Sequence, residues 1–228
     1  MKLSKRLEAV AGLVSDSQCV ADVGTDHGYI PIYLVENQRT KTAIAMDINK
    51  GPLLRAKENI ESHGLANQIE TRLSDGLKKV LPGECDTVVV AGMGGNLVIK
   101  ILEEGKHIRQ NVKEWILQPQ SELWKVREYL VANEYCIVDE DIVEEDGKIY
   151  PMMKVVNGMS ESYQDIELQY GKCLLQKKHP TLLVYLDKEI RTKEQILKQL
   201  ETENKATERI HELRKELMQA RAAFLKCL

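Results

Sequence analysis

The feature that most constrains this chain is a regular alternation of short apolar runs and helical patterns over its first 158 residues. The runs are built mainly from Val, Ile, Leu and Ala, as expected for strands buried on both faces of a sheet. The alternation predicts a mostly parallel, doubly wound α/β sheet that ends in an antiparallel edge hairpin turning at Asp146–Gly147. The predicted strands are 19–23, 41–47, 68–73, 86–91, 114–118, 135–145 and 148–156, and the predicted helical segments are 1–14, 30–36, 52–63, 77–80, 96–105 and 121–133.

The composition changes near Gly158. Residues 161–228 contain only Gly171 and Pro180 as helix breakers, and their apolar residues keep a three-four spacing. This pattern predicts a helical segment up to about Lys178, followed by two long helices or one interrupted helix. The phase slips at 204–207, which an antiparallel coiled-coil hairpin would explain. We therefore expect a sheet domain over residues 1–158 and a helical coiled-coil domain over 159–228, which either covers a surface or grips a partner.

Charge and cysteine content narrow the class of protein. The net charge is −3, so contact with a nucleic acid would depend on local basic patches. The five cysteines are scattered, and none has zinc-like spacing to a histidine, so we expect no metal site and a reducing compartment. With no signal-peptide pattern and no run of transmembrane length, we expect a cytoplasmic protein that does not contact a membrane.

The most informative motif is the segment VADVGTDHGYIP at residues 20–31, where a strand ending at Asp22 runs into a glycine loop. Gly24 and Gly28 allow a sharp turn and a close approach of a ligand to the backbone. Their spacing differs from the GxGxxG pattern of dinucleotide sites, and Asp26 would repel a pyrophosphate. A carboxylate here suits the cationic sulfonium and ammonium groups of S-adenosylmethionine better.

Acidic residues and glycines also follow the next strands. Asp47, with Ile48 beside it, lies about 20 residues after the glycine loop, where an acidic residue commonly binds ribose hydroxyls. Helix capping is the alternative role for Asp47. Asp75 and Gly76 follow the third predicted strand, where they could contact the adenine edge of the cofactor or simply form a turn. Together these residues predict a cofactor site at one edge of the sheet.

Two further loops supply candidates for the rest of the site. Glycines directly after the most hydrophobic strand can let cofactor or substrate lie against the backbone. The amides that flank Pro119 could hydrogen-bond a base edge, and two tyrosines could stack on an extruded base. Each has a purely structural alternative as a loop or packing residue. The candidates are Gly92 for the cofactor, and Tyr29, Gly94, Gln118, Gln120 and Tyr150 for the substrate.

The motifs together resemble one known family. LSKRL, VADVGTDHGYIP, AMDIN, SDGL, AGMGG and LQPQ are similar to segments of the bacterial tRNA (adenine-N1)-methyltransferases that modify adenine 22, the TrmK family. The resemblance covers nearly the whole chain, including the helical C-terminal region. It implies a Rossmann-like class I methyltransferase fold, tRNA as the partner, and a coiled-coil arm that assists tRNA binding. It also implies that Gly24, Asp26, Gly28, Asp47, Asp75 and Gly76 belong to the S-adenosylmethionine site.

The chemistry of methyl transfer to adenine N1 indicates which residues could be catalytic. Adenine N1 carries a free lone pair, so alignment with the sulfonium methyl group matters more than a strong base. Positive charge grows on the base during transfer, and a carboxylate could stabilise it or accept the N6 proton. Asp26 is the first candidate for this role, with His27 orienting the base or relaying a proton. The alternative for His27 is that its ring caps the following helix.

Other functions remain open at the level of sequence. They are a methyltransferase for a protein or small molecule, an NAD-dependent oxidoreductase, and a non-catalytic module that binds partners through its coiled coil. The glycine spacing disfavours the oxidoreductase. The sequence leaves a monomer and a dimer equally open.

Overall fold

A computed structural model describes residues 1–202 and 207–228. They form two compact units, Met1–Ser162 and Tyr163–Leu228. The predicted domain boundary at 158/159 lies just before this division. Residues 203–206, which include most of the predicted phase slip at 204–207, lie outside the described residues.

The first unit is built on a seven-stranded sheet with the order β3-β2-β1-β4-β5-β7-β6. The first five strands are parallel, β7 pairs antiparallel with β5, and β6 forms the outer edge. The predicted α/β fold with an antiparallel edge hairpin is confirmed. The strands are β1 (Ser17–Val23), β2 (Thr40–Asp47), β3 (Ile69–Leu73), β4 (Thr87–Met93), β5 (Glu114–Pro119), β6 (Tyr135–Glu145) and β7 (Lys148–Asn157).

Helices follow the strands much as the periodicity predicts, and their bounds shift by one or two residues, except that α1 begins four residues later than predicted. Short 3₁₀ turns at Gly105–His107 and Arg109–Asn111 connect α4 to β5. The helices of the first unit are α1 (Lys5–Leu13), α2 (Tyr29–Glu36), α3 (Lys50–Ser62), α4 (Gly95–Glu104) and α5 (Leu123–Ala132).

The amino-terminal helix α1 packs on the sheet through its apolar face. Ser4 caps it by accepting a hydrogen bond from the Leu7 amide, which satisfies one of the unpaired donors at a helix start. Val10 and Ala11 are fully buried in the core that α1 shares with α2 and the sheet. The backbone amide of Arg6 donates to the Glu145 carboxylate at 3.2 Å, which ties the first turn of α1 to the end of β6.

The segment 77–80 was predicted to be helical, and this prediction is wrong. The structure shows consecutive turns, in which the Val80 amide donates to the Leu77 carbonyl at 3.0 Å. The Ser74 hydroxyl interrupts the backbone pattern because it bonds both the Gly76 carbonyl and the Lys79 amide. Pro82 also disfavours the helical region for Leu81, so a helix cannot extend here.

The second unit is helical. Its helices are α6 (Asp165–Tyr170), α7 (Lys172–Gln176), α8 (Pro180–Thr202) and α9 (Thr207–Cys227). Gly171, with φ of +92°, separates α6 from α7. Helices α8 and α9 run antiparallel, since Glu201 pairs with Arg214 and Glu194 with Arg221. The described helices include none that is long and apolar enough to cross a membrane.

Candidate active site

The candidate site lies where the sheet changes direction. From β1 the chain crosses to β2 on one side, whereas β4 lies on the other side of β1. The loops that follow β1 and β4 therefore flank a crevice at the carboxyl ends of the strands, where ligands bind in open α/β sheets. The loops after β2, β3 and β5 open at the same edge because these strands are parallel to β1 and β4.

Gly24 lies at the centre of this crevice, directly after β1. Its φ is +76°, a conformation that side chains disfavour, and a Cβ there would come within 2.1 Å of the Met93 Cε atom. The Gly24 and Thr25 amides both donate to the Met46 carbonyl, which turns the chain sharply at the end of β1. The loops after β1 and β4 thus meet at a point where a side chain on Gly24 would have to displace the Met93 methyl group.

Asp22 and Asp47 are paired acidic groups on neighbouring parallel strands. Burial, with a smaller contribution from the charge of Asp47, raises the pKa of Asp22 to about 6. The Asp47 carboxylate accepts a hydrogen bond from the Asn49 amide at 2.6 Å, and Ile48 between them is exposed. Ligands with a positive charge or hydroxyl donors would stabilise both carboxylates.

Asp75 and Gly76 lie in the loop after β3. The Asp75 carboxylate pairs with Lys78, and this hydrogen bond lowers the pKa of Asp75. Gly76 has φ of +57°, and the Ser74 amide donates to the Asp47 carbonyl at 3.0 Å. This loop is therefore fixed beside the end of β2, with Asp75 half-exposed at its surface.

Asp26 and His27 lie at the mouth of the crevice. The Asp26 carboxylate is 67% exposed, 3.1 Å from an Arg55 nitrogen and 3.5 Å from the His27 Nε2 atom. The His27 ring stacks on Tyr29 with their centres 5.1 Å apart and their planes within 7°. An exposed aromatic pair beside a carboxylate can receive an extruded base.

The alternative role considered for His27 was to cap helix α2, and the structure gives that position to another residue. The first cap residue of α2 is Gly28, with φ of +67° and no side-chain hydrogen bond. A Cβ on Gly28 would meet Ala56 and Ile60 of α3 at 3.5 Å. Glycine at position 28 is therefore favoured by its positive φ rather than by lack of space, and His27 lies at the mouth of the crevice.

Gln118, predicted to contact a base edge, has different partners in the structure. Its side chain is fully buried, and its Oε1 atom accepts from the Gly92 amide and from Arg6 Nη1, both at 3.1 Å. The Arg6 Cζ atom in turn lies 5.4 Å from the centre of the Tyr150 ring. Gln120 is exposed beside Gly92, so Gln120 presents its amide at the surface where Gln118 does not.

The loops after β4 and β5 are joined by hydrogen bonds that the motifs did not reveal. The Ser121 hydroxyl accepts from the Gly95 amide at 3.2 Å, and the Glu122 carboxylate accepts from Asn96 Nδ2 at 2.8 Å. Gly94 is exposed, and a Cβ on it would lie 3.3 Å from the Ser121 hydroxyl. The contacts of Arg6, Ser121 and Glu122 span long sequence separations, although the LSKRL motif marks the position of Arg6.

The residues present fit S-adenosylmethionine better than a dinucleotide. Gly24 turns the chain sharply at the end of β1, and three carboxylates, from Asp22, Asp26 and Asp47, belong to the loops and strand ends around it. Acidic groups favour a sulfonium and an ammonium, and they oppose a pyrophosphate at the start of α2. Among the described residues, no group of three acidic, cysteine or histidine side chains could hold a metal ion.

The sheet order, together with the glycine loop after β1 and the carboxylates around it, defines a Rossmann-like methyltransferase of class I. The sequence model of TrmK, described as tRNA (adenine(22)-N(1))-methyltransferase, matches residues 20–222. The tRNA (adenine(22)-N(1))-methyltransferase of Bacillus subtilis (strain 168) is 41% identical over 172 residues, which cover 75% of this chain and 72% of the relative. The chain belongs to the TrmK family of tRNA (adenine(22)-N(1))-methyltransferases.

Solved structures agree with this family. Streptococcus pneumoniae Sp1610 in complex with S-adenosyl-L-methionine is 33% identical, with a TM-score of 0.87 over 98% of this chain and 100% of that one. M. capricolum TrmK in complex with S-adenosyl-homocysteine is 32% identical, with a TM-score of 0.87 over the whole of both chains.

Proposed function

We propose that this chain transfers the methyl group of S-adenosylmethionine to N1 of adenine 22 in tRNA, at the crevice between the loops after β1 and β4. Family membership supports the reaction and the target base. The observation that carries the location is the convergence of the sharply turned glycine Gly24 with the carboxylates of Asp22 and Asp47 at the switch point of the sheet.

The cofactor residues are assigned by position and chemistry. The buried Asp22 carboxylate faces cationic groups, and Asp47 binds the ribose hydroxyls. Gly24 and Gly28 keep the first loop open and sharply turned, while Gly92 gives the loop after β4 the same freedom, with φ of +78°. Exposed Ile48 covers one face of the adenine, and Asp75 with Gly76 borders its edge.

When bound, S-adenosylmethionine supplies an electrophilic methyl group on a positively charged sulfur. The chain must then hold adenine N1 in line with that methyl group and exclude water. Asp26 faces the mouth, where its carboxylate stabilises the positive charge that grows on the base and can accept the N6 proton. His27, stacked on Tyr29, orients the base against this carboxylate.

The substrate surface extends from the mouth towards β5 and β7. Tyr29 and Tyr150 offer aromatic faces, Gly94 leaves the backbone open, and Gln120 presents its amide to the base edge. Gln118 contributes indirectly, since its buried side chain holds the Gly92 loop in place. Its predicted direct contact with the base is therefore set aside in favour of this positioning role.

The helical region 159–228 assists tRNA binding in this proposal, while residues 1–158 form the S-adenosylmethionine domain. The contribution of the helical region to tRNA binding is limited by charge pairing, because Arg191, Arg209 and Arg214 each pair with an acidic residue. Exposed ion pairs exchange partners readily, so a phosphate can compete for these arginines. A tRNA substrate and five cysteines that form no disulfide support a cytoplasmic location.

The test is transfer of labelled methyl from S-adenosylmethionine to unmodified tRNA, followed by nucleoside analysis. The proposal predicts labelled 1-methyladenosine. Transfer to a protein or small molecule instead would establish a methyltransferase of another substrate. Binding of NAD with no binding of S-adenosylmethionine would establish the oxidoreductase, and binding of neither cofactor would establish a non-catalytic module.

A further inference from the structure

The guanidinium of Arg6 ends at the edge of the candidate site, although Arg6 belongs to the amino-terminal helix. Its Nη1 atom donates to Gln118 Oε1 at 3.1 Å and lies 3.5 Å from where a Cβ on Gly92 would be. Its Cζ atom is 5.4 Å from the Tyr150 ring centre. The side chain thus reaches the loop after β4, where the substrate must approach.

This guanidinium is a half-buried cation without an anionic partner among the described residues. Arg55 pairs with Asp26 at the same edge, whereas Arg6 forms no ion pair within 4.0 Å in the described part of the chain. The nearby Glu145 carboxylate accepts from the Arg6 backbone amide at 3.2 Å, which satisfies the helix start rather than the side chain. Within residues 1–202 and 207–228, one of the five guanidinium N–H donors has a side-chain or backbone acceptor, and the others remain for a ligand.

The position of the cation is fixed by neutral groups. The Gln118 amide has one possible orientation, because its oxygen faces two donors, the Gly92 amide and Arg6, and the reverse orientation would oppose donor to donor. Gln118 is fully buried, so it cannot swing away. The Tyr150 ring attracts the cation on another side without neutralising its charge.

We propose that Arg6 binds a backbone phosphate of the target nucleotide and so positions the extruded adenosine in the site. An adenosine that leaves its stack carries its flanking phosphates to the mouth of the pocket. The guanidinium fork matches two phosphate oxygens, and an unpaired cation attracts an anion without first breaking an ion pair. This assignment rests on the proposed function, because it requires RNA as the substrate.

The test compares Arg6→Gln and Arg6→Lys with the matched control Lys5→Gln, which removes an adjacent exposed cation from the same helix. Binding of an unmodified tRNA transcript is measured against salt concentration in the presence of S-adenosylhomocysteine. For Arg6→Gln we expect about tenfold weaker binding and a salt slope smaller by about one, as for the loss of one phosphate contact. Arg6→Lys should keep the slope, and Lys5→Gln should leave affinity nearly unchanged.

A second variant and a second readout separate phosphate binding from a structural role. Gln118→Glu places a carboxylate against Arg6 and should reproduce the smaller salt slope while the polypeptide fold, followed by thermal unfolding, is retained. Phosphate ethylation interference should show one position next to adenine 22 that weakens binding to the wild type and has no effect on Arg6→Gln.

Several results would overturn the assignment. They are an unchanged salt slope in Arg6→Gln, an identical ethylation pattern in both proteins, a loss of S-adenosylhomocysteine binding equal to the loss of tRNA binding, and no tRNA binding by the wild type. Failure of the proposed function would give a different result. A wild type that binds tRNA with the expected Arg6 dependence and transfers no methyl group would refute the reaction while the phosphate contact stands.

Discussion

The thioether methyl of Met93 lies over Gly24, so close that a Cβ on Gly24 would approach it to 2.1 Å. The two residues are far apart in sequence, yet their loops follow β1 and β4, which are neighbours in the sheet. The contact closes one side of the crevice that we assign to S-adenosylmethionine. Because the Met93 side chain is flexible, any group added to Gly24 would push it towards the space of the ligand.

Gly24→Ala tests this relationship. We expect the Kd for S-adenosylmethionine to rise at least about tenfold, from the displaced Met93 and the disfavoured positive φ. Isothermal titration calorimetry measures the change. The control is Gly64→Ala, where φ is +70° but no atom lies within 4 Å of the new Cβ. An equal loss of cofactor affinity in the control would show that the effect is not specific to the contact between Gly24 and Met93.

The pH dependence of cofactor binding tests Asp22. Its pKa is raised to about 6 from the ordinary 3.8, so the apo form holds a proton there below about pH 6. A cationic ligand favours the carboxylate, so affinity should fall about tenfold per pH unit below 6 and be constant above 7. Asp22→Asn should bind weakly without this dependence. Persistence of the same pH profile in Asp22→Asn would remove Asp22 from the site.

The stability of the apo protein should also depend on the protonation of Asp22, but in this case a lower pH is favourable. Between pH 3.8 and about 6 the folded state binds the Asp22 proton and the unfolded state does not. The Asp22 contribution to the free energy of unfolding therefore increases as pH falls through 6. Wild type should lose less stability than Asp22→Asn over this interval in urea titrations, and an equal loss would contradict the buried assignment.

Asp26→Ala tests the catalytic role. We expect kcat to fall about 100-fold or more, with the Kd for S-adenosylmethionine within a factor of three, because Asp26 faces the base. The control is Asp16→Ala, which removes another exposed carboxylate paired with an arginine, 3.2 Å from Arg39, at the opposite end of β1. Equal losses of turnover and cofactor affinity would make Asp26 a cofactor ligand only.

The buried ion pair between Arg127 and Glu140 supports the edge hairpin. Their side chains are 1% and 0% exposed, and Arg127 Nε donates to Glu140 Oε1 at 2.8 Å. Glu140→Gln removes the negative charge of this buried pair and should lower the free energy of unfolding by about 3–5 kcal/mol in urea denaturation. Glu61→Gln, in an exposed pair with Lys57, should cost less than about 1 kcal/mol. Similar costs for both variants would show that burial does not strengthen the effect.

The fold could be predicted from sequence because buried parallel strands and amphipathic helices have distinct periods. The hairpin turn is an example, since Asp146 and Gly147 take the positive φ values, +51° and +74°, that the dipeptide favours. The helix prediction for segment 77–80 is wrong because the conformation of this segment depends on the Ser74 hydroxyl and on the His107 ring, which bonds the Val80 carbonyl at 3.0 Å. Local periodicity carries no information about such contacts.

The candidate site divides in the same way. Gly24 and Asp47 were accessible from sequence, because their roles follow from position at the end of a strand. The contact between Arg6 and Gln118 spans 112 residues and depends on how α1 packs against β5, so no motif encodes it. For Gln118 the residue type suggested a base contact, and only its burial reveals that it holds Arg6 and the Gly92 loop.

The most direct test of the account is to map the methylated position in tRNA. One transcript has adenine at position 22 and a second has guanine there. Both are incubated with the enzyme and methyl-labelled S-adenosylmethionine, then copied by primer extension. N1 methylation blocks the pairing edge, so extension should stop beside position 22 of the first transcript, and the second should take up no label. Methylation at another position, or of the guanine-22 transcript, would contradict the account.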